Sequence, residues 1–321
     1  MKALVFTGVH QALEFKEFPE PEVREGFGIV EVHAAALNRR DFWITLGMYP
    51  GIVFPTVLGS CGAGMLDGRA VVMNPNINWG ESELYPNKEY IMLGLEEPGT
   101  FAEKVSVRNS HIFDKPAHLT MEQAAAIPLA GLTAYRALFT RAKLVAGEKV
   151  LINGVGGGVA LFAMQFAIAA GAKVYVTSSS DEKIEKAIAM GAIAGGNYKT
   201  EQWNRAFKKA HGGFDVIIDS AGGPGFNNMI HLANPGARIA LYGGTRGNWE
   251  KVNPAHVFFK QLTILGSTMG SDADFKKMLT LVNDHKIVPV VDRTFPLEDG
   301  NEAFELMKTS PQFGKYVLTR S

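Results

Sequence analysis

A single cysteine, Cys61, stands in a chain of 321 residues, so there can be no internal disulfide and no cysteine-rich zinc lobe, and a reducing compartment is allowed. Excess charge of either sign is also missing. The 32 basic residues balance 32 acidic ones, which leaves no field to draw in nucleic acid or an anionic membrane surface. No internal repeat, low-complexity tract or long linker interrupts the chain. The apolar segment that starts at Val150 is broken by glycines, and its helix is too short to cross a bilayer. Met1 leads into a strand-like LVF run without the basic region, apolar stretch and cleavage site of a leader, so a cytoplasmic protein is expected.

What is present suffices for two domains of ordinary size, since 46% of the residues are hydrophobic and can fill two cores. Up to about Lys115 the pattern is short strands between turn residues, among them KALVF, ALEFKEF, GIVEVHAAAL, GRAVVMN, GTFAEKVSV and HIFDKP. This half reads as mainly β with helical insertions. At Thr120 the character changes: Thr120 with Gln123 is a helix-start pair, and alanine-rich helices follow. From Lys149, strands and helices alternate through KVLIN, KVYVTS, FDVIIDS, ARIALYGG and TILGST, the pattern of a doubly wound parallel sheet in an α/β protein. After about Thr268 the alternation ends, which predicts a return of the chain to its first domain.

The alternation opens on VLINGVGGGVALF. Gly154, Gly156, Gly157 and Gly158 lie between an apolar run and a small-residue helical segment, and only glycine lets backbone come that close to a pyrophosphate at a helix N-terminus. The strict G-x-G-x-x-G spacing fails at Val159, whereas G-x-x-G-x-x-A fits Gly154, Gly157 and Ala160. A glycine string alone also fits a flexible loop or a close helix contact. The strand and helix on either side favour a dinucleotide-binding turn that includes Val159. Ala221, Gly243, Gly244, Met269 and Gly270 fall at the carboxyl ends of later strands, where open α/β sheets place ligands, although small residues also mark turns.

The order of GTFAEKV, IPLAGLTAYRAL, INGVGGGVA, FDVIIDSAGG and GKYVLTR resembles the medium-chain dehydrogenase/reductase superfamily over essentially the whole chain, with its zinc-free quinone oxidoreductases as the nearest branch. The resemblance implies a GroES-like catalytic domain at 1–122, a Rossmann NADPH-binding domain at 123–268, and a return segment at 269–321 that completes the first. The active site is then expected in the cleft between the two. It also implies a homodimer or tetramer, often paired along the last Rossmann strand, here TILGST. The zinc-ligand places of metal-dependent relatives carry Asn38, Ser60 and Cys61, and NPNINWGESELYPNKEY replaces the structural zinc lobe, so no metal is expected. Cys61 reads as a small buried thiol rather than a reactive one, and His33, His111 and His256 lack ligand spacing.

An NAD-preferring site would place an acid after the second strand, but Ser178, Ser179 and Ser180 follow KVYVT here. Hydroxyls suit a 2′-phosphate better than a carboxylate would. Lys183 and Tyr198 match, by resemblance, the lysine and tyrosine of NADPH-using quinone reductases, and Lys183 otherwise reads as a solvated helix residue. Asp181 and Glu182 read as acids at a helix start. The resemblance further makes Asn38 a carbonyl donor and Tyr49 a donor or water-positioning group. Trp43 replaces a tyrosine as an apolar wall, and Thr133 is placed near the nicotinamide. Tyr49 packed on Pro50 and Trp43 in the core are the plain alternatives. Arg39, Arg40 and Asp41 read as a solvated or ion-paired start of a short helix. The function implied is hydride transfer from NADPH, without zinc, to a quinone or α,β-unsaturated carbonyl. An enoyl-thioester reductase and a cofactor-binding protein with little turnover are the alternatives.

Overall fold

The computed structural model describes residues 1–309 and 311–320. The chain forms two compact units, one of Met1–Leu132 with Ser271–Ser321 and the other of Thr133–Gly270. The first is mostly β. Its long strand Phe27–Ala36 alternates buried and outward residues as far as Ala34, as a sheet with one face on a core requires, and ends in three buried alanines. This strand pairs antiparallel with Gly62–Leu66, with Lys104–Arg108 and with Lys315–Thr319. Arg69–Met73 and Ile112–Asp114 extend the sheet beyond Gly62–Leu66, and Val291–Pro296 runs parallel to Lys315–Thr319 at the opposite side. A smaller sheet of Glu14–Glu17, Lys2–Phe6 and Thr56–Val57 lies in the same unit. Leu4, Phe6, Val30, Val32, Phe101 and Phe304 share its core, so both ends of the chain supply one hydrophobic interior.

The stretch that replaces the zinc lobe is organised by an aromatic residue. Trp79 is 1% exposed and donates its indole N–H to Ser82 O at 2.8 Å, and Tyr90 meets it edge-on at 5.2 Å. Only Asn76–Ile77 and Ile91–Met92 pair as strands there. At Thr120 the expected capping box forms: the hydroxyl accepts from Gln123 N–H, and the Gln123 side chain accepts from Thr120 N–H.

The second unit is a six-stranded parallel sheet in the order Ala194–Asn197, Lys173–Ser178, Lys149–Ile152, Phe214–Asp219, Ala233–Leu241, Thr263–Gly266. Val150, Leu151 and Ile152 are fully buried, because central parallel strands are covered on both faces and read as unbroken apolar runs. The order reverses at Lys149–Ile152, and this topological switch point is where the glycine turn emerges. The strand Thr263–Gly266 is an edge of this sheet. Among the described residues no helix is long and apolar enough to cross a membrane.

One contact in the first unit sets a tight limit. A Cβ added at Gly64 would lie 1.9 Å from Glu31 O on the neighbouring strand. Gly64→Ala must therefore push these paired strands apart, and it is expected to destabilise the protein by about 1–3 kcal/mol, read as a lower urea midpoint. An unchanged midpoint would show that the strands separate without cost.

Candidate functional site

In the second unit, Gly154 and Gly156 take φ of +79° and +124°, the left-handed region that favours glycine. Gly157 is exposed, and a Cβ built on it or on Gly154 would meet nothing within 4 Å. The turn thus faces open space. It leads into the helix Gly158–Ala169, whose N-cap, Gly157, has no side chain to satisfy the first free N–H groups. Val159 lies in that first turn. The residues present fit a dinucleotide pyrophosphate, which backbone N–H groups and the positive end of the helix dipole would hold.

A buried polar network that sequence reasoning missed fixes the cradle. Thr177 Oγ1 accepts from Gly154 N–H at 3.0 Å and donates to Asn153 Oδ1, while Asn153 Nδ2 donates to Asp219 Oδ1. Asp219 also accepts from the N–H groups of Ala221 at 3.2 Å and Gly222 at 2.9 Å. One hydrogen-bonded chain therefore ties together the carboxyl ends of three adjacent strands, with Ala221 included. The loop holding Gly243 and Gly244 joins the same group through Thr245 N–H, 3.2 Å from Ser220 O. Thr133 and Met269 are buried against each other, with Thr133 Oγ1 3.8 Å from Met269 Sδ, and Met269 and the buried Gly270 end the unit.

At the end of Lys173–Ser178 the serines divide their tasks. Ser178 is 3% exposed and its hydroxyl accepts from Ser180 N–H at 3.3 Å, while Ser180 caps the next helix by accepting from Lys183 N–H at 3.3 Å. Ser179 is half-buried. Tyr198 is drawn to this corner by its N–H to Ser178 O at 3.0 Å, and its ring is exposed. The nearby acids are engaged elsewhere: Glu182 with Lys186 at 2.7 Å and Asp181 with Asn197 Nδ2 at 2.8 Å. Lys186 holds the Glu182 carboxyl below its ordinary range.

In the first unit, Asn38 is 5% exposed and starts the helix Arg39–Thr45. Its amide is fully engaged. Nδ2 donates to Ala36 O at 3.2 Å and to Cys61 Sγ at 3.3 Å, and Oδ1 accepts from Lys315 Nζ at 2.6 Å. With both amide hydrogens spent, Asn38 acts here as a hub between elements, not as a free carbonyl donor. Of the solvated or ion-paired helix start expected, the solvated alternative is corrected for Arg40, 6% exposed, and for Asp41, fully buried, and the two form the ion pair. Asp41 Oδ2 accepts from Asn38 N–H at 2.7 Å, and Oδ1 lies 4.0 Å from Arg40 Nη1 without a hydrogen bond. Tyr49 is half-buried under the Arg40 guanidinium, 5.3 Å from the ring centroid. Trp43 is half-buried and packs against Phe42 at 5.4 Å.

Burial dominates the titration of this cluster, pushing Asp41, Cys61 and Tyr49 up and Lys315 down. Cys61 has no exposed surface, and its sulfur accepts from Leu129 N–H at 3.2 Å as well as from Asn38. Sequence adjacency showed no cation beside it, yet Lys315 is brought close by the last strand. The residues do not fit a zinc ion: the sulfur is already hydrogen-bonded, an ammonium sits on Asn38, and among the described residues no three His, Cys, Asp or Glu side chains converge. A cavity of about 90 Å³ in the same unit is lined by Arg24, Asn74, Glu97 and His111 among others, and none of Asn38, Trp43 or Tyr49 reaches it.

A fully buried thiol with a raised pKa should resist alkylation and disulfide exchange. Cys61 is expected to stay unlabelled by a chromogenic aromatic disulfide at neutral pH in the native protein and to react stoichiometrically in denaturant. Rapid labelling of the folded protein would contradict its placement.

Comparison with known proteins adds three findings. The profile of the family described as zinc-binding dehydrogenase matches residues 158–284. A zinc-type alcohol dehydrogenase-like protein of Leptosphaeria maculans is 32% identical over 97% of this chain and 95% of its own, and an acryloyl-coenzyme A reductase of Sulfurisphaera tokodaii is 29% identical over 99% of each. A crystal structure of an NAD-dependent alcohol dehydrogenase superposes with a TM-score of 0.94 at 35% identity, covering all of both chains.

Proposed function

The chain belongs to the medium-chain dehydrogenase/reductase superfamily of oxidoreductases, and from that membership we propose that it is an NADPH-dependent, zinc-independent reductase of quinones or α,β-unsaturated carbonyls. The observation that carries the cofactor choice is the corner formed by Ser179, Lys183 and Tyr198, where no acid stands free to meet the ribose hydroxyls. Glu182 is paired with Lys186 and Asp181 with Asn197. A 2′-phosphate placed there would find hydroxyls and a lysine instead of a repelling carboxylate. The pyrophosphate would lie on the glycine turn at 154–158, with the nicotinamide toward Thr133 and Met269.

When bound, NADPH supplies a hydride. What the chain supplies is position and charge: hydride transfer needs the accepting carbon held about 3–3.5 Å away and a site for the negative charge that develops on oxygen. With no fit for zinc at Asn38, Ser60 and Cys61, that charge must meet fixed donors, which suits acceptors that already delocalise it. Tyr49 and Trp43 are the proposed wall for such a planar acceptor. The acryloyl-coenzyme A reductase relative favours a conjugated acyl thioester as the second reading. Association through the exposed edge strand Thr263–Gly266 belongs to the same proposal.

Oxidation of NADPH in the presence of a panel of quinones and enones tests the reading. Turnover that persists after dialysis against a chelator is expected, whereas loss of activity restored only by zinc would overturn the metal-free assignment. Saturable NADPH binding with no turnover of any acceptor would leave only a cofactor-binding protein. Lys183→Ala is expected to weaken NADPH about tenfold to a hundredfold while changing NADH affinity by less than about twofold. Equal losses for both dinucleotides would remove Lys183 from the phosphate site.

A further inference from the structure

Arg40 is buried, yet only one corner of its guanidinium is used. Nη1 donates to Ser60 Oγ at 2.9 Å, and that hydroxyl donates onward to Leu93 O at 2.8 Å, which holds the group in one plane. Nε and Nη2 are shielded from solvent and have no hydrogen-bond partner. These two nitrogens form the side-on edge of an arginine, where two N–H bonds run parallel and match oxygen acceptors. Leaving charged donors without a hydrogen-bond partner in a dry place is costly, unless a ligand completes them.

The charge of the surroundings points the same way. Lys315 and Arg40 bring two cations to a buried cluster whose carboxylate is Asp41, with Oδ2 committed to Asn38 N–H and Oδ1 facing Arg40 at 4.0 Å from Nη1, the corner that Ser60 holds. The Tyr49 ring lies against the guanidinium and gives the place an aromatic wall. An oxygen carrying negative charge would satisfy both the two N–H groups and the surplus positive charge.

We propose that the side-on edge of Arg40 is an oxyanion site, which takes the carbonyl oxygen of a conjugated acceptor and holds the charge that develops on it. The assignment rests on the reductase reading given above. In the step it serves, a hydride brings its electron pair to the β carbon of the acceptor and forms a C–H bond there, as the reduced nicotinamide is oxidised. The carbon–carbon π pair shifts to the bond between the α and carbonyl carbons, and the carbonyl π pair moves to oxygen. The resulting enolate oxygen lies on Nε–H and Nη2–H. A proton from water then adds to the α carbon and the carbonyl re-forms, which leaves the saturated product and the oxidised dinucleotide. Ser60 is a positioning residue, because it touches only the far corner of the guanidinium.

Two measurements test this, one with turnover and one without. With an enone that the protein reduces, Arg40→Met is expected to lower kcat about 100-fold or more while NADPH affinity stays as in the parent. Independently of turnover, 4-nitrophenol serves as a chromophoric oxyanion probe on the protein saturated with NADP⁺. The parent should bind the yellow phenolate in preference to the neutral phenol, and Arg40→Met should lose about 100-fold in phenolate affinity. Phenolate binding that depends on Arg40 in a protein that reduces no acceptor would sink the reductase reading and leave the oxyanion site standing. Equal phenolate binding by the parent and a folded Arg40→Met protein would overturn the site, whatever the turnover. Should Arg40→Met fail to fold, Arg40→Lys keeps the charge and lacks the parallel N–H pair. A loss of about tenfold is expected for it, and undiminished binding by that variant would overturn the site equally.

Discussion

A buried ammonium must be surrounded by oxygen, and in this protein Lys315 meets that demand by reaching across the sheet to Leu37 O and Asn38 Oδ1. The strand that carries it, Lys315–Thr319, is paired on one side with Phe27–Ala36 and on the other with Val291–Pro296. The end of the chain is thereby tied to the first helix of the same unit at the point where Asn38, Arg40, Asp41 and Cys61 converge. Closing the sheet and charging the site are one event. The hydrophobic residues around it supply the bulk of the stability, while the polar cluster fixes which side chains can face one another.

The second unit solves a different problem with a similar device. Its sheet would form from apolar runs alone, yet runs alone would not fix how the carboxyl ends of the strands stand relative to one another. The bonds from Thr177 to Asn153 and from Asn153 to Asp219 do this, and they bind the backbone of Gly154, Ala221 and Gly222 in the same network. Preorganised backbone donors are what a pyrophosphate requires, because it then gains its hydrogen bonds without ordering a loop. The alignment of the strand ends and the cradle depend on the same three side chains.

Much of this was legible in the sequence. Alternating apolar runs and small-residue helices pointed to the doubly wound sheet, and the loss of alternation after Thr268 indicated that the chain turns back. The glycine turn was readable because the positive φ it needs at Gly154 and Gly156 favours one residue type. The cluster at Arg40 was not readable. Adjacent Arg39, Arg40 and Asp41 at a helix start have the look of solvated or ion-paired charges, and the cluster around Arg40 and Asp41 is built with Ser60, which holds Arg40, and Lys315, which holds Asn38 from 277 positions away. One signal was present in GKYVLTR, where Lys315 opens the strand ahead of Tyr316, Val317 and Leu318. The Asn153, Thr177 and Asp219 network also left a trace, as one polar residue at or near the end of each of three apolar runs. Pairing these traces requires knowing which strands are neighbours, and that is tertiary information.

The discontinuity of the first unit bears on how the protein is made. Thr133–Gly270 is contiguous, so it has all its strands once residue 270 has left the ribosome. Met1–Leu132 then exists as an incomplete sheet that still lacks the strand Lys315–Thr319, with Phe27–Ala36 missing one of its partners. Closing so long a loop adds only a slow logarithmic entropy cost, because doubling loop length costs about 0.6 kcal/mol. During synthesis the edge of Phe27–Ala36 thus stays open to pairing with other strands, and docking of Lys315–Thr319 removes that exposure.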